Sequence, residues 1–365
     1  MDWPPEKVAA FQQALLDWYD SHARTLPWRQ DHDPYHVMVS ELMLQQTQVQ
    51  TVIPYYERFM TQFPTVEALA AAPEATVLKA WEGLGYYSRA RRLQQAAKQI
   101  VNDYGGKWPQ TSVELQTLAG IGPYTAGAIA SISFGEVVPA IDGNAFRVFA
   151  RLFKVDADIA RPQTRQVFYD LIRPLIPKDR PGDFNQAVMD LGSSYMSASH
   201  PDPEHSPVRD FDASYRDGVV ADYPVKTKKP RPVVHRYFAL VIRSDAGYLF
   251  EQRPSTGMLA DLWMFPLIDM ADLEATMMSD QLDEVSRIFG ASSGLSLTFA
   301  DLGVKQVQHT FTHQRWQMTL IGADAKAEEL KFIPARWVAP KDFGKIALPT
   351  VQKKLNQALG LDDSD

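Results

Sequence analysis

A chain of 365 residues, 45% hydrophobic and 22% charged, is too long for one compact core and has the balance of a folded protein of two domains. It contains no cysteine, which excludes disulfides, thiolate catalysis, cysteine-held zinc and thiolate-held iron–sulfur clusters. No apolar run suits a membrane helix, and Met1-Asp2-Trp3-Pro4-Pro5-Glu6-Lys7 lacks the basic-then-apolar layout of a secretory signal, so a cytoplasmic protein is expected. The formal charge of −7 arises wholly up to Val225, where 20 basic residues face 27 acidic ones; beyond it there are 17 of each. An acidic total disfavours a nucleic-acid partner without excluding one, because a local patch and well-aimed backbone amides suffice.

Up to about residue 200, apolar residues recur at helical spacing. Helices are predicted over 5–20, 34–63, 75–81, 86–104, 112–118, 123–134, 144–153, 163–176 and 184–196, with no strand-like alternation among them. Over 197–223 the pattern dissolves into Pro, Asp, His and Ser, and Lys226-Thr-Lys-Lys-Pro-Arg231-Pro reads as a linker. Beyond it, 237–243 and 248–253 flank the hairpin signal Ser244-Asp-Ala-Gly247. A second strand pair is predicted at 304–309 and 315–321, with helices near 280–289 and 350–359. The layout is an all-α domain over 1–225, a linker at 226–233 and an α+β domain over 234–365.

Several polar residues sit where packing alone does not ask for them. In Leu118-Ala-Gly120-Ile-Gly122-Pro-Tyr124 a helix ends, two glycines form a tight turn and proline opens the next helix. Such a hairpin can hold a DNA phosphate on its amides, or can be a plain helix corner. Asp142, in Ile141-Asp-Gly-Asn144, reads as an N-cap or as an ionised carboxylate able to stabilise or trap a sugar cation. Glu41 lies four residues after Val37 and three before Leu44, on or beside an apolar face. A carboxyl desolvated there is held protonated near neutrality, as a general acid requires; otherwise it is a salt-bridged glutamate at the stripe's edge. Gln45-Gln46-Thr47 and Gly83-Leu-Gly-Tyr86-Tyr-Ser88-Arg89 supply amides, aromatics and a cation suited to base edges, stacking and phosphate contact.

Taken together these segments resemble the helix-hairpin-helix DNA glycosylases, and in particular the MutY-type adenine DNA glycosylases. The resemblance rests on Pro27-Trp28-Arg29, Ser40-Glu41-Leu-Met-Leu44-Gln-Gln46-Thr47, Trp81 to Arg89, Gly120 to Thr125 and Asp142-Gly-Asn144. It runs from about Val8 to Met196 and resumes from about Val234. It implies that Glu41 protonates the purine at N7 and that Asp142 stabilises or traps the oxocarbenium-like sugar, with Tyr124 and Asn144 orienting them. Trp28, Arg29, Leu44 and Gln186 then border an adenine pocket. Gln45, Gln46, Thr47, Tyr86, Ser88, Gly120 and Gly122 meet the DNA, with Gln46 and Tyr86 intruding into the duplex. Endonuclease III-like relatives carry a Schiff-base lysine where this chain has Tyr124, so a single-function glycosylase is implied.

The C-terminal half resembles the family's Nudix-like domain through Leu262-Trp-Met-Phe-Pro266 and His309-Thr-Phe311-Thr312-His313. By that resemblance Phe311, Thr312 and His313 meet 8-oxoguanine opposite the adenine. No Arg-Glu-x-x-Glu-Glu run follows Pro266, which argues against a pyrophosphohydrolase. Typical members hold a [4Fe–4S] cluster on four cysteines; the corresponding positions here are Met196, Pro203, Ser206 and Asp212, so neither cofactor nor metal is expected. The expected partner is double-stranded DNA containing an adenine:8-oxoguanine mispair, bound by a monomer associated with the nucleoid. The alternatives are a related glycosylase for thymine or uracil mispairs and a lesion-binding protein with little catalysis.

Overall fold

The computed structural model describes residues 3–228, 230–303, 305–327, 330 and 334–361. Lys229 in the predicted linker, Val304 at the head of a predicted strand, and the outermost residues of both predicted domains lie outside this set. Contacts divide the chain into two units, Met1–Val77 with Ser88–Lys228, and Leu78–Tyr87 with Lys229–Asp365.

The first unit carries α1 (Pro5–His22), a 3₁₀ turn (Pro27–Arg29), α2 (Pro34–Leu44), α3 (Val49–Gln62), α4 (Val66–Ala71), the start of α5 (Glu74–Ala80) and α6 (Ser88–Asn102). It continues with α7 (Ser112–Leu115), α8 (Pro123–Phe134), α9 (Gly143–Phe153), α10 (Thr164–Ile172), α11 (Pro181–Ser193) and α12 (Ala213–Arg216). No strand occurs among its described residues. The core is an aromatic cluster in which Phe11 of α1 meets Phe149 of α9 and Phe184 of α11 at ring distances of 6.5 and 6.3 Å. Truncating rings so buried costs about 3–5 kcal/mol each. Where α11 crosses α9, a Cβ on Gly192 would lie 2.5 Å from the Cβ of Asn144, so only glycine permits the approach.

The helix predicted over 34–63 is in fact two, α2 and α3, because the chain turns left-handed at Gln46 (φ 59°). The break is held from a distance. Arg89 Nη1 donates to the carbonyls of Leu42, Met43 and Gln45 at 2.7, 2.9 and 2.6 Å, satisfying the orphan carbonyls of α2 with a cation at the negative end of its dipole.

In the second unit β1 (Val233–Ser244) and β2 (Gly247–Gln252) form the predicted hairpin. They are followed by β3 (Trp263–Met264), β4 (Leu267–Asp269), α13 (Met278–Ser293), β5 (Thr298–Ala300), β6 (Gln306–Thr310), β7 (Gln314–Asp324), β8 (Ala335–Val338) and α14 (Thr350–Leu359). The sheet order is β3-β2-β1-β7-β5, with β4 on β1, β6 on β7 and β8 on β2. It is mixed: β1 and β7 run parallel, and the other pairs are antiparallel. Alternation along β1 explains the layers. Phe238, Leu240 and Ile242 pack with Val285 and Phe289 of α13, whereas Ala239 and Val241 share a core with Val351 and Leu355 of α14. Within the stretch expected to be a linker, Thr227 Oγ1 donates to Asp158 Oδ2 at 2.5 Å, and β1 begins at Val233.

Candidate active site

In the first unit α2, α8, α9 and α11 border a cavity of about 480 Å³, within the range of small-molecule sites. Glu41, Tyr124, Asp142 and Asn144 line it together, as do Trp28, Arg29, Leu44 and Gln186, and the loop residues Gln45, Gln46 and Thr47. Residues as far apart in sequence as Trp28 and Gln186 therefore share one concavity.

Glu41 is 5% exposed and, among the described residues, has no salt bridge to a basic side chain; the Tyr124 hydroxyl donates to its Oε2. Burial pushes its carboxyl from 4.5 up to about 7, with the Tyr124 bond and the Arg29 charge opposing and the Asp142 charge adding to the rise. Tyr124 itself is held well above its ordinary value by burial and by both carboxylates, so it remains a neutral donor.

The cap reading of Asp142 holds, and the residue also lines the cavity. It is the N-cap of α9, its Oδ1 accepting from Asn144 N and Ala145 N at 2.8 Å each, and it faces the cavity. Asn144 Nδ2 donates to Oδ2 at 2.8 Å. Burial pushes its pKa up, opposed by these N–H groups and by the charge of Arg147. Three donors and no acceptor are what an ionised carboxylate needs. Arg147 Nη2 in turn donates to Asn144 Oδ1 at 2.7 Å, which aims the amide nitrogen at Asp142.

Opposite lies a group that sequence reasoning missed. Asp190 of α11 accepts from Arg29 Nη1 and Nη2 at 2.7 and 3.0 Å and from Arg24 Nε at 2.7 Å. Arg24 sits in the turn after α1, and nothing in its neighbourhood in sequence pairs it with a residue on α11. Trp28 is buried edge-on to Tyr56 with ring centres 5.3 Å apart.

The other expected DNA contacts lie outside the cavity. Gly120 is left-handed (φ +76°), and a Cβ there would lie 2.5 Å from that of Arg92, so the turn itself requires glycine. Gly122 has an ordinary φ and open space within 4 Å, so neither packing nor backbone strain accounts for its lack of a side chain. Ser88 opens α6. In the second unit Tyr86 is half exposed, and its hydroxyl lies 2.9 Å from Thr312 Oγ1. Nearby, Tyr87 OH donates to the Leu348 carbonyl and Lys353 pairs with Glu82 at 2.6 Å. Phe311 is anchored edge-on against Trp316 (4.9 Å), leaving Thr312 and His313 exposed at the tip of the β6–β7 hairpin.

The residues at the family's cluster positions do not fit an iron–sulfur cluster. Met196 is fully packed in the core with Val208, and Phe211 and Tyr195 lie against it. Tyr215 is absent from that cluster and gives its amide to Asp212 at 3.0 Å. Ser206 and Asp212 are buried, and Asp212 caps α12 through Oδ1. The segment is tied from α9. Arg151 donates to the carbonyls of Ser197 (3.2 Å) and Tyr223 (3.3 Å), and Arg147 to those of Gly192 and Met196 at 2.6 Å each. His205 is engaged by Asp202, and no group of three metal-ligating side chains occurs among the described residues.

Fold, paired carboxyls and hairpin together define a helix-hairpin-helix repair protein with an added Nudix-type domain. Residues 39–174 match the HhH-GPD superfamily base excision DNA repair proteins, and 237–358 match the NUDIX domain. The chain is 35% identical to the adenine DNA glycosylase of Mus musculus over 95% of its own length and 77% of that protein's, and 34% identical to that of Homo sapiens over 96% and 74%. It belongs to the adenine DNA glycosylase family. Among solved structures, a thermostable thymine-DNA glycosylase is 25% identical with a TM-score of 0.53, covering 58% of this chain and 98% of its own. An endonuclease III–DNA complex, 18% identical with a TM-score of 0.50 over 60% and 99%, shares the fold.

Proposed function

We propose that this protein is a single-function adenine DNA glycosylase that hydrolyses the N-glycosidic bond of adenine mispaired with 8-oxoguanine or guanine, acting as a monomer and without an iron–sulfur cluster. The observation that carries this reading is the pair of carboxyls in one cavity, Glu41 buried so that its carboxyl is pushed up to about 7, Asp142 supplied with three donors. Glu41 gives its proton to N7 of the extruded base. The C1′–N9 bond then breaks with its electron pair going to the purine, and Asp142 stabilises or briefly bonds the resulting sugar cation until water adds at C1′ and surrenders a proton. Tyr124 bonds one oxygen of Glu41 and leaves the other for the acid proton. The absence of an amine at that position favours base release without strand cleavage. Residues 1–225 would perform the chemistry and 234–365 would read the opposing base, joined through 226–233.

The test is single-turnover base release from a duplex with one adenine opposite 8-oxoguanine, using metal-free protein, with alkali added afterwards to reveal the abasic site. Adenine release with no strand cut before alkali is expected. Asp142→Asn should bind the duplex but lose about 10²–10³ or more in rate, the worth of one aimed catalytic charge or dipole. Tight binding with no release by the unaltered protein would overturn the enzyme in favour of a lesion-binding protein, and iron at about four atoms per chain would overturn the cluster-free reading.

A further inference from the structure

One buried ionic cluster, Asp190 with Arg24 and Arg29, has no part in that mechanism. Asp190 is 4% exposed and accepts from both Arg24 and Arg29, each of which lines the cavity with Glu41. Arg29 is itself within electrostatic reach of Glu41. A carboxylate left alone with that guanidinium ionises more readily, which is the wrong direction for an acid that must keep its proton.

We propose that Asp190 is a positioning residue of the base-release site, taking the forks of Arg29 and Arg24 so that Arg29 is held in place and the pull of its charge on Glu41 is partly offset. Two planar guanidiniums on one carboxylate are a fixed arrangement, because each N–H···O bond constrains both partners. Burial pushes the Asp190 carboxyl up, but the bonds and charges of Arg29 and then Arg24 outweigh it and keep it below its ordinary value, so it remains an anion throughout the working range.

The other ionisable groups facing these residues do not replace it. Around Glu41 stand Tyr124 from α8, which donates to it, and Asp142 at the head of α9, whose charge favours the protonated acid. Arg89 from α6 binds the carbonyls at the end of α2, and Tyr56 from α3 packs on Trp28. Around Asp190, Tyr19 of α1 is held above its ordinary value chiefly by burial and stays neutral, and Arg147 of α9 donates to Gly192, Met196 and Asn144.

This inference rests on the acid role proposed for Glu41, and its test separates the two. The Glu41 carboxyl is titrated by carbon NMR in full-length protein labelled at glutamate, the resonance being assigned by its loss in Glu41→Gln. Base release is followed in parallel across the same pH range. In Asp190→Asn the Glu41 midpoint should fall by about one unit or more, and release should fall further at pH 8 than at pH 6. Asp190→Glu should keep the midpoint in place. If Asp190→Asn does not fold, the double variant Asp190→Asn with Arg29→Met removes the unpaired buried charge and should put the midpoint at or above that of the unaltered protein. An unmoved midpoint in folded Asp190→Asn, a loss of rate equal at every pH, or a lowered midpoint in the double variant would overturn the proposal. Failure of the unaltered protein to release adenine would instead count against the enzyme reading, and the NMR titration would still decide the part of Asp190.

Discussion

At the scale of single residues the site turns on a carboxyl placed where solvation is denied to it. The sign of its effect on stability follows from its midpoint rising from 4.5 to about 7 on folding. The folded state binds the proton more tightly, so this group's stabilisation is fully present below about 4.5 and is lost as pH rises through about 7. The whole loss is about 3 kcal/mol, at ~1.4 kcal/mol per unit. Glu41→Gln cannot ionise and should therefore gain on the unaltered protein as pH rises, while losing base release at every pH. Urea unfolding of both proteins at pH 5 and pH 8.5 measures this; an equal difference at the two pH values would mean that Glu41 is not buried as a neutral acid. Both carboxyls were legible in sequence for a physical reason: each breaks a local expectation, one as an acid on an apolar stripe and the other as a cap followed by Gly-Asn. Asp190 and Arg24 broke none, since an acid on α11 and a base in the turn after α1 look like ordinary surface charges until the fold brings them together.

At the scale of elements, most helices end close to where periodicity placed them, and 123–134 and 350–359 coincide with α8 and α14. The exceptions are informative. Leu44-Gln-Gln-Thr47 contains nothing that forbids a helix, and the break there depends on an arginine on α6 that no local rule connects to it. The short strands β3, β4, β5 and β8 offer two to four residues each, too few to show alternation. Helix contacts also set a prediction. Gly192→Ala would press a methyl into Asn144 and should cost about 1–3 kcal/mol as overpacking, with a drop in base release because Asn144 carries the bond to Asp142. Gly122→Ala, with nothing within 4 Å, should leave the melting temperature unchanged and weaken duplex binding alone. Equal melting temperatures for the two variants would remove the helix crossing as a constraint.

At the scale of the whole molecule the division of labour can be separated experimentally. Exchanging Phe311, Thr312 and His313 together for alanine should reduce the preference for adenine opposite 8-oxoguanine over adenine opposite guanine by about tenfold or more, a few kcal/mol being the worth of direct contacts to a base. Release opposite guanine should hardly change. An unchanged ratio would take lesion reading away from the second unit. The α+β character of that unit was legible from the switch to alternating strands, whereas its eight-stranded mixed sheet was not, because a parallel pairing of β1 with β7 joins segments far apart in the chain.

The grip of Arg151 on Ser197 and Tyr223 has a consequence for how such a protein can change over generations. With both ends of the excursion gathered by one side chain, its contour is closed whatever lies between, and lengthening a closed loop adds only about 0.6 kcal/mol per doubling. Insertion and deletion between those two carbonyls are then cheap, apart from the buried points at Ser206, Val208, Asp212 and Ser214. The constraint on such change then gathers on the guanidiniums of α9, Arg151 at both ends of the excursion and Arg147 at Met196.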